Sequence, residues 1–214
     1  MNRIMIPGDV SGGSSLARNI VNVTFEEFKT EMVRKTIHLL VAVVPFMAAF
    51  HRPFTLIFLA AGTLAYAGME ALRFRGVNVP LVSSLTRMAS RARDGGRFVA
   101  GPITLGLGAF LALFLFPPPV SAIAIYALAF GDGFASLVGK LFGSIRPRFL
   151  MGKSIEGSTA CFIAVLLSAY LAVRDFPLAL AAALTATVAE ALPLDDYDNI
   201  ALPLAVGFVV NLIR

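Results

Sequence analysis

Seven apolar stretches, at about 36–50, 54–72, 99–116, 120–139, 157–173, 176–192 and 200–213, follow one another with short polar joints between most of them. A soluble fold of this size needs polar residues for its outer faces, and soluble domains devote about a quarter of their residues to charge. Here 57% of residues are hydrophobic and 14% are charged, with a mean hydropathy of +0.81. The bilayer is therefore the solvent for most of the chain, and helices are the way to satisfy backbone polar groups there. The expectation is an all-α, polytopic integral membrane protein with about seven transmembrane helices. Several stretches fall a little short of the ~20 residues needed to cross, the first and last most of all.

Residues 1–24, with Gly8, Gly12, Gly13 and three serines, read as a flexible amino-terminal tail, and 25–214 as a single membrane-embedded domain. From Phe25 to Lys35 a short amphipathic helix runs into the first span. No long apolar stretch occupies the first thirty residues, so no cleavable signal peptide is expected. Cys161 is the single cysteine, which excludes disulfides within one chain and suits a buried inert thiol. No internal repeat suggests the inverted halves of a transporter.

The charges set an orientation. Placing the amino terminus inside puts Arg3, Arg18, Lys29, Arg34 and Lys35 there, with Arg73, Arg75, Arg87, Arg91, Arg93 and Arg97 of the 73–98 loop and Lys140, Arg146, Arg148 and Lys153 of the 140–156 loop. Only Arg52, Arg174 and Arg214 fall outside, a decisive positive-inside bias that makes the amino terminus cytoplasmic. The net charge of +5 thus reflects topology, and no nucleic-acid partner is expected.

Four polar clusters collect on that side. Glu31, Arg34, Lys35 and His38 share one helix face by their spacing of three and four. His38 lies inside the start of an apolar span, where an ionisable group is costly. Gly131-Asp132-Gly133 places a carboxylate roughly 10 Å below the cytoplasmic end of the fourth span at ~1.5 Å per residue, in need of a partner, a metal or a water-filled cleft. Its flanking glycines allow close backbone approach by a ligand, while Ala135, Gly139 and Gly143 at intervals of four suit tight helix packing. Lys153-Ser154-Ile155-Glu156-Gly157-Ser158 brings a cation, two hydroxyls and a carboxylate to a helix start, which suits phosphate or plain capping. Glu190, Asp195, Asp196, Asp198 and Asn199 offer hard oxygen ligands suited to Mg²⁺, or a solvated acidic loop. Gly152-Lys153-Ser154 is not a P-loop, because Pro147 stands where the loop's first glycine is required and no strand precedes it. Cations beside carboxylates at a membrane face are what phosphoryl transfer to a lipid needs.

Glu31-x-x-Arg34-Lys35-x-x-His38, Gly131-Asp132 with Gly139 and Gly143, Lys153 to Ser158, and Glu190-Ala191-Leu192-Pro193 with Asp198-Asn199 and Pro203 together resemble the polyprenol kinase family. That family includes dolichol kinase, phytol kinase and CTP-dependent diacylglycerol kinase, and is related to phosphatidate cytidylyltransferase. The motifs run in order over about residues 31–203. The resemblance implies transfer of a phosphoryl group from a nucleoside triphosphate, often CTP, to a polyprenol, phytol-like alcohol or diacylglycerol, with Mg²⁺ or another divalent cation.

On this reading Asp132, Glu156 and Asp198 are the candidate metal ligands, with Asn199 supporting and Glu190 nearby. Lys153, Ser154, Ser158, Arg34, Lys35, Gly131 and Gly133 are the candidate nucleotide-binding residues, and Glu31 completes the first cluster. Asp132, Glu156 and His38 are the candidate bases. The chain is short beside the eukaryotic dolichol kinases and looks closer to the compact phytol-kinase-like and prokaryotic forms. Membrane lipids are its surroundings, a prokaryotic inner or cell membrane its expected place with the active site facing the cytoplasm, and a homodimer is compatible. The alternatives are a cytidylyltransferase, which would release pyrophosphate, and a small transporter, which would need polar groups near the midplane.

Overall fold

The computed structural model describes residues 30–77, 79, 80 and 98–214. The expected tail 1–24, residues 25–29 of the amphipathic helix, and Arg87, Arg91, Arg93 and Arg97 lie outside the described residues. Among the described residues the structure is all-helical, with no strand.

Residues 30–40 form α1, Val41–Val43 a 3₁₀ turn, and Val44–Phe74 α2. The break comes at His51, whose φ of −155° and ψ of 87° are not helical, one residue before the expected Arg52-Pro53 joint. Pro53 then lies in the first turn of the new limb, where its missing N–H costs nothing. The chain reverses here. A straight helix would carry Lys35 and Glu70 about 50 Å apart at ~1.5 Å per residue. Instead His38 reaches Asn199, Asn199 reaches Thr104, and Glu70 accepts from the nearby Val99 N–H. At the far end, the Arg52 guanidinium donates to the Leu113 and Phe116 carbonyls at 2.6 and 3.0 Å, satisfying groups that the end of the next helix leaves open.

That helix, α3, spans Gly101–Leu115. It is followed by α4, Val120–Tyr126, a π-helical segment, Ala127–Asp132, and α5, Gly133–Leu141. Ser154 caps α6, Ile155–Val173, by accepting from Gly157 N–H. Asp175 caps α7, Phe176–Ala191, through Leu178 N–H, and α8 covers Asp198–Ile213. The packing of α6 on α7 and α7 on α8 runs through Ala169, Ala179, Ala182, Ala183 and Ala186, all fully buried. Small residues let helix backbones approach where lipid offers no hydrophobic drive for association.

Against about seven expected spans, four helices among the described residues are long and apolar enough to cross a membrane. Thr30–Phe74 counts once although it has two limbs, and Gly101–Leu115 and Phe176–Ala191, of 15 and 16 residues, fall short of a full crossing. The chain is a membrane protein, and its α1, α5, α6, α7 and α8 bring one end each to a common polar mouth.

Candidate active site

A cavity of about 370 Å³ opens at that mouth. The charged residues lining it are Lys35, Lys140, Arg146 and Lys153 against Glu31, Asp132, Glu190, Asp195 and Asp198. Four cations facing five carboxylates make a wall that does not attract a polyanion by itself.

Asp132 is nearly inaccessible, as are Glu31, Lys35 and Glu190. It ends the π-helical segment, whose wider turn re-aims the side chains that follow; such segments recur at functional sites. Its Oδ2 accepts from Lys35 Nζ of α1 and lies 3.0 Å from His38 Nε2. Asp132 Oδ1 takes part in neither contact. A buried carboxylate unpaired in this medium would cost several kcal/mol, so Lys35 and Asp132 hold each other in place across α1 and α4–α5.

His38 Nε2 also stands 2.8 Å from Asn199 Oδ1, and Nδ1 lies 3.1 Å from the Arg34 carbonyl. Asp132 Oδ2, Asn199 Oδ1 and the Arg34 carbonyl only accept, so both ring nitrogens face acceptors. His38, a candidate base by sequence, does not line the cavity. Asn199 is buried and spent on the same network, donating from Nδ2 to Thr104 Oγ1 at 2.9 Å. It does not line the cavity.

Around the rim each lysine has a carboxylate. Glu31 takes Lys140 at 2.8 Å and Arg34 at 3.1 Å. Lys153 Nζ stands 2.6 Å from Glu190 Oε1. Burial of Lys153 works against its charge, but the Glu190 carboxylate outweighs that and holds the ammonium above its ordinary range. Glu190 Oε2 is buried and without a hydrogen-bond partner, and Asp198 makes no hydrogen bond or ion pair among the described residues. Arg146 differs from the lysines. Its guanidinium is held by main-chain carbonyls of Gly139 and Gly152 at 3.0 and 2.8 Å, so its charge is not cancelled by a carboxylate.

The other expected site residues fall elsewhere. Glu156 is not in the cavity wall; its carboxylate accepts from Ser144 N–H, Ser144 Oγ and Ile145 N–H at 3.0, 2.6 and 3.1 Å, tying the 142–154 loop to the start of α6. Ser154 lines the cavity, but its hydroxyl is the cap of α6. Ser158 Oγ is buried without a partner and away from the wall. Neither Gly131 nor Gly133 lines the cavity; a Cβ on Gly133 would meet Leu39 Cδ2 at an ordinary 3.4 Å, while one on Gly131 would come within 2.8 Å of Val165 Cγ2. Gly143 likewise admits no side chain, since its Cβ would stand 2.1 Å from the Gly139 carbonyl oxygen. Sequence reasoning counted Lys140 and Arg146 only as topology signals, and nothing in their spacing singles them out. The structure brings together Glu31, Lys35, Asp132, Lys153, Ser154, Glu190 and Asp198.

Among the described residues, no group of three or more His, Cys, Asp or Glu side chains could by itself hold a metal ion. The donors that remain, Asp198 and Glu190 Oε2, are hard oxygens, and the wall carries an excess of negative charge. That set fits a divalent cation that arrives with phosphate oxygens, as Mg²⁺ does, keeping one or two carboxylates and the phosphates as ligands.

No family model matches the chain, and no solved structure matches it. The chain is 31% identical over 151 residues to "Probable phytol kinase, chloroplastic" of Triticum aestivum, covering 62% of this chain and 49% of that protein. It is 38% identical over 105 residues to "Phytol kinase" of Synechocystis sp., covering 49% of this chain and 42% of that protein. Over 62 residues it is 36% identical to "CTP-dependent diacylglycerol kinase 1" of Eremothecium gossypii, 29% of this chain and 20% of that protein. It thus spans about half the length, or less, of these curated relatives. These relatives, lipid kinases by name, agree with the resemblance of the motifs of residues 31–203 to the polyprenol kinase family.

Proposed function

We propose that the chain transfers the terminal phosphoryl group of a nucleoside triphosphate, CTP first among them, to the hydroxyl of a membrane lipid alcohol such as a phytol-like alcohol, a polyprenol or a diacylglycerol. The observation that carries this reading is the cavity itself, where cations and carboxylates alternate around the buried Lys35–Asp132 pair at the polar ends of apolar helices. The kinase names of the relatives support it, and the diacylglycerol kinase among them supports CTP. The positive-inside count supports about seven crossings with the cavity facing the cytoplasm.

Lys35, Lys140, Lys153 and Arg146 are the groups to meet phosphate oxygens, Arg146 first because it need not leave a carboxylate. Asp198 and Glu190 Oε2, with Asp132 Oδ1, are the oxygens to hold Mg²⁺, and the cation would neutralise charge on the phosphate oxygens. Glu156 and Asn199 act at one remove, on the 142–154 loop and on His38. In the reaction the lipid oxygen forms a bond to the γ-phosphorus as the bridge to the β-phosphate breaks. The hydroxyl proton passes to a carboxylate, Asp198 or Asp132. The cavity is lined mainly by charged and polar residues, so the apolar tail stays among the helices and the bilayer.

The test is a reconstituted protein given γ-labelled and α-labelled CTP, ATP in parallel, and a panel of lipid alcohols. Label from the γ position in the lipid, with CDP released, is the expected result. A CDP-lipid with pyrophosphate would mean nucleotidyl transfer instead, and no transfer to any acceptor would sink the reading.

A further inference from the structure

We infer that Thr104, on α3 and outside the cavity wall, is a positioning residue that fixes the Asn199 amide and, through its contact with His38, the attitude of Asp132. The inference rests on the kinase reading for its catalytic consequence but not for its structural content.

The chain of contacts begins at a backbone oxygen. Thr104 Oγ1 donates to the Gly101 carbonyl at 2.9 Å, so the hydroxyl proton is used and the oxygen is left to accept. Asn199 Nδ2 donates to that oxygen at 2.9 Å, with the Gly101 carbonyl at 3.4 Å as its second acceptor. Both neighbours of Nδ2 therefore want a proton, which fixes the orientation of an amide whose oxygen and nitrogen have nearly the same shape. The Asn199 oxygen is turned toward His38 Nε2 at 2.8 Å. Asp132 Oδ2 lies 3.0 Å from the same nitrogen and the Arg34 carbonyl 3.1 Å from Nδ1, so the ring is held among acceptors that Asn199 completes. Four elements, α1, α3, the π segment and α8, meet in this relay, and all of its side chains are buried.

The spacing between α3 and α8 is as tight as helices allow. A Cβ on Gly108 would stand 1.9 Å from the Asn199 carbonyl oxygen, so Thr104 and Asn199 cannot drift apart by sliding of the helices. Without the Thr104 hydroxyl, Nδ2 loses one of its two acceptors, and the amide is free to turn over. Nδ2 would then face His38 Nε2 in place of the oxygen, and the ring would lose one of the acceptors that hold it against Asp132. Such outer partners fix ring orientation in other sites, at a cost of about 10- to 100-fold in activity when removed.

The experiment compares Thr104→Val, which keeps the shape and removes the hydroxyl, with Thr104→Ser, which keeps the hydroxyl. In the Val variant kcat is expected to fall about tenfold with KM for the nucleotide and the melting temperature unchanged, and Ser is expected to stay within twofold of wild type. In parallel, ¹⁵N-histidine spectra of the detergent-solubilised protein read the ring directly. The chain has 2 histidines, so His51→Gln assigns the signals. A His38 Nε2–H signal shared by wild type and Ser and displaced in Val confirms the relay. The same Nε2–H signal in Val overturns it, as does a Val variant with wild-type kcat or a loss that Ser shares. If wild type transfers no phosphoryl group, the kinase reading fails, and the spectra still decide the role of Thr104.

Discussion

Of the carboxylates buried in the helices of this protein, Glu70 on α2 and Asp132 at the end of the π segment are held in opposite ways. Glu70 is gripped locally, by Arg73 one turn on through Nε at 2.7 Å and a terminal nitrogen at 2.6 Å, and by the Val99 N–H at 2.8 Å. Both of its oxygens are used and it lies outside the cavity wall. Asp132 is gripped from 97 residues away by Lys35, with both contacts on one oxygen, and it lines the cavity. A charge sealed on every side is architecture, because nothing is left to meet a ligand. A charge sealed on one side only has been kept available, and this difference separates the two better than burial does.

Asp132→Asn is the sharpest attempt to break the contrast. Turnover should fall by about 10³-fold or more, in the range seen when a charge-stabilising group is lost, while the protein stays folded in detergent; near-normal turnover would remove Asp132 from the chemistry. Glu70→Gln should do the converse. Leaving Arg73 without its bidentate partner should cost about 3–5 kcal/mol, read as a lower midpoint of thermal unfolding, with turnover per folded molecule within a few-fold of wild type. A smaller effect is expected from Arg146→Gln, which should raise the nucleotide KM about tenfold, ~1.4 kcal/mol, and leave kcat nearly unchanged; an effect confined to kcat would move Arg146 from binding to catalysis. Smallest of all is Ser158→Ala. Its hydroxyl is as buried and unpartnered as Glu190 Oε2 but away from the wall, so both unfolding midpoint and KM should stay within about 0.5 kcal/mol of wild type.

The helices and the clustering of polar residues at one end were legible because both are short-range patterns. Apolar runs announce helices in lipid, and spacing of three and four puts Glu31, Arg34, Lys35 and His38 on one face. What was not legible is which group each one meets. Nothing local says that Lys35 pairs with Asp132 rather than Glu31, or that Glu156 turns to Ser144 and Ile145 while Glu190 takes Lys153. Asn199 looked like a metal ligand because amide oxygens are one kind of hard donor, yet His38 and Thr104 claim both of its ends. Glu70 did carry a signal, a lone acid in an apolar run with Arg73 three residues on, but Arg73 read as part of the loop. The break at His51 fell one residue before the Arg52-Pro53 joint because the proline is accommodated in the first turn of the second limb.

The π segment at Ala127–Asp132 gives this site an unusual weak point. A π turn amounts to one residue more than an α-helix would use over the same length. Removing a single alanine there would leave every apolar residue a plausible neighbour and the helix free to close into an ordinary α-helix. The helix on either side would keep its length and facing, and what would be lost is the wide turn that aims Asp132 between Lys35 and the cavity. Shortening by one residue would thus spare the fold here and strike at the site.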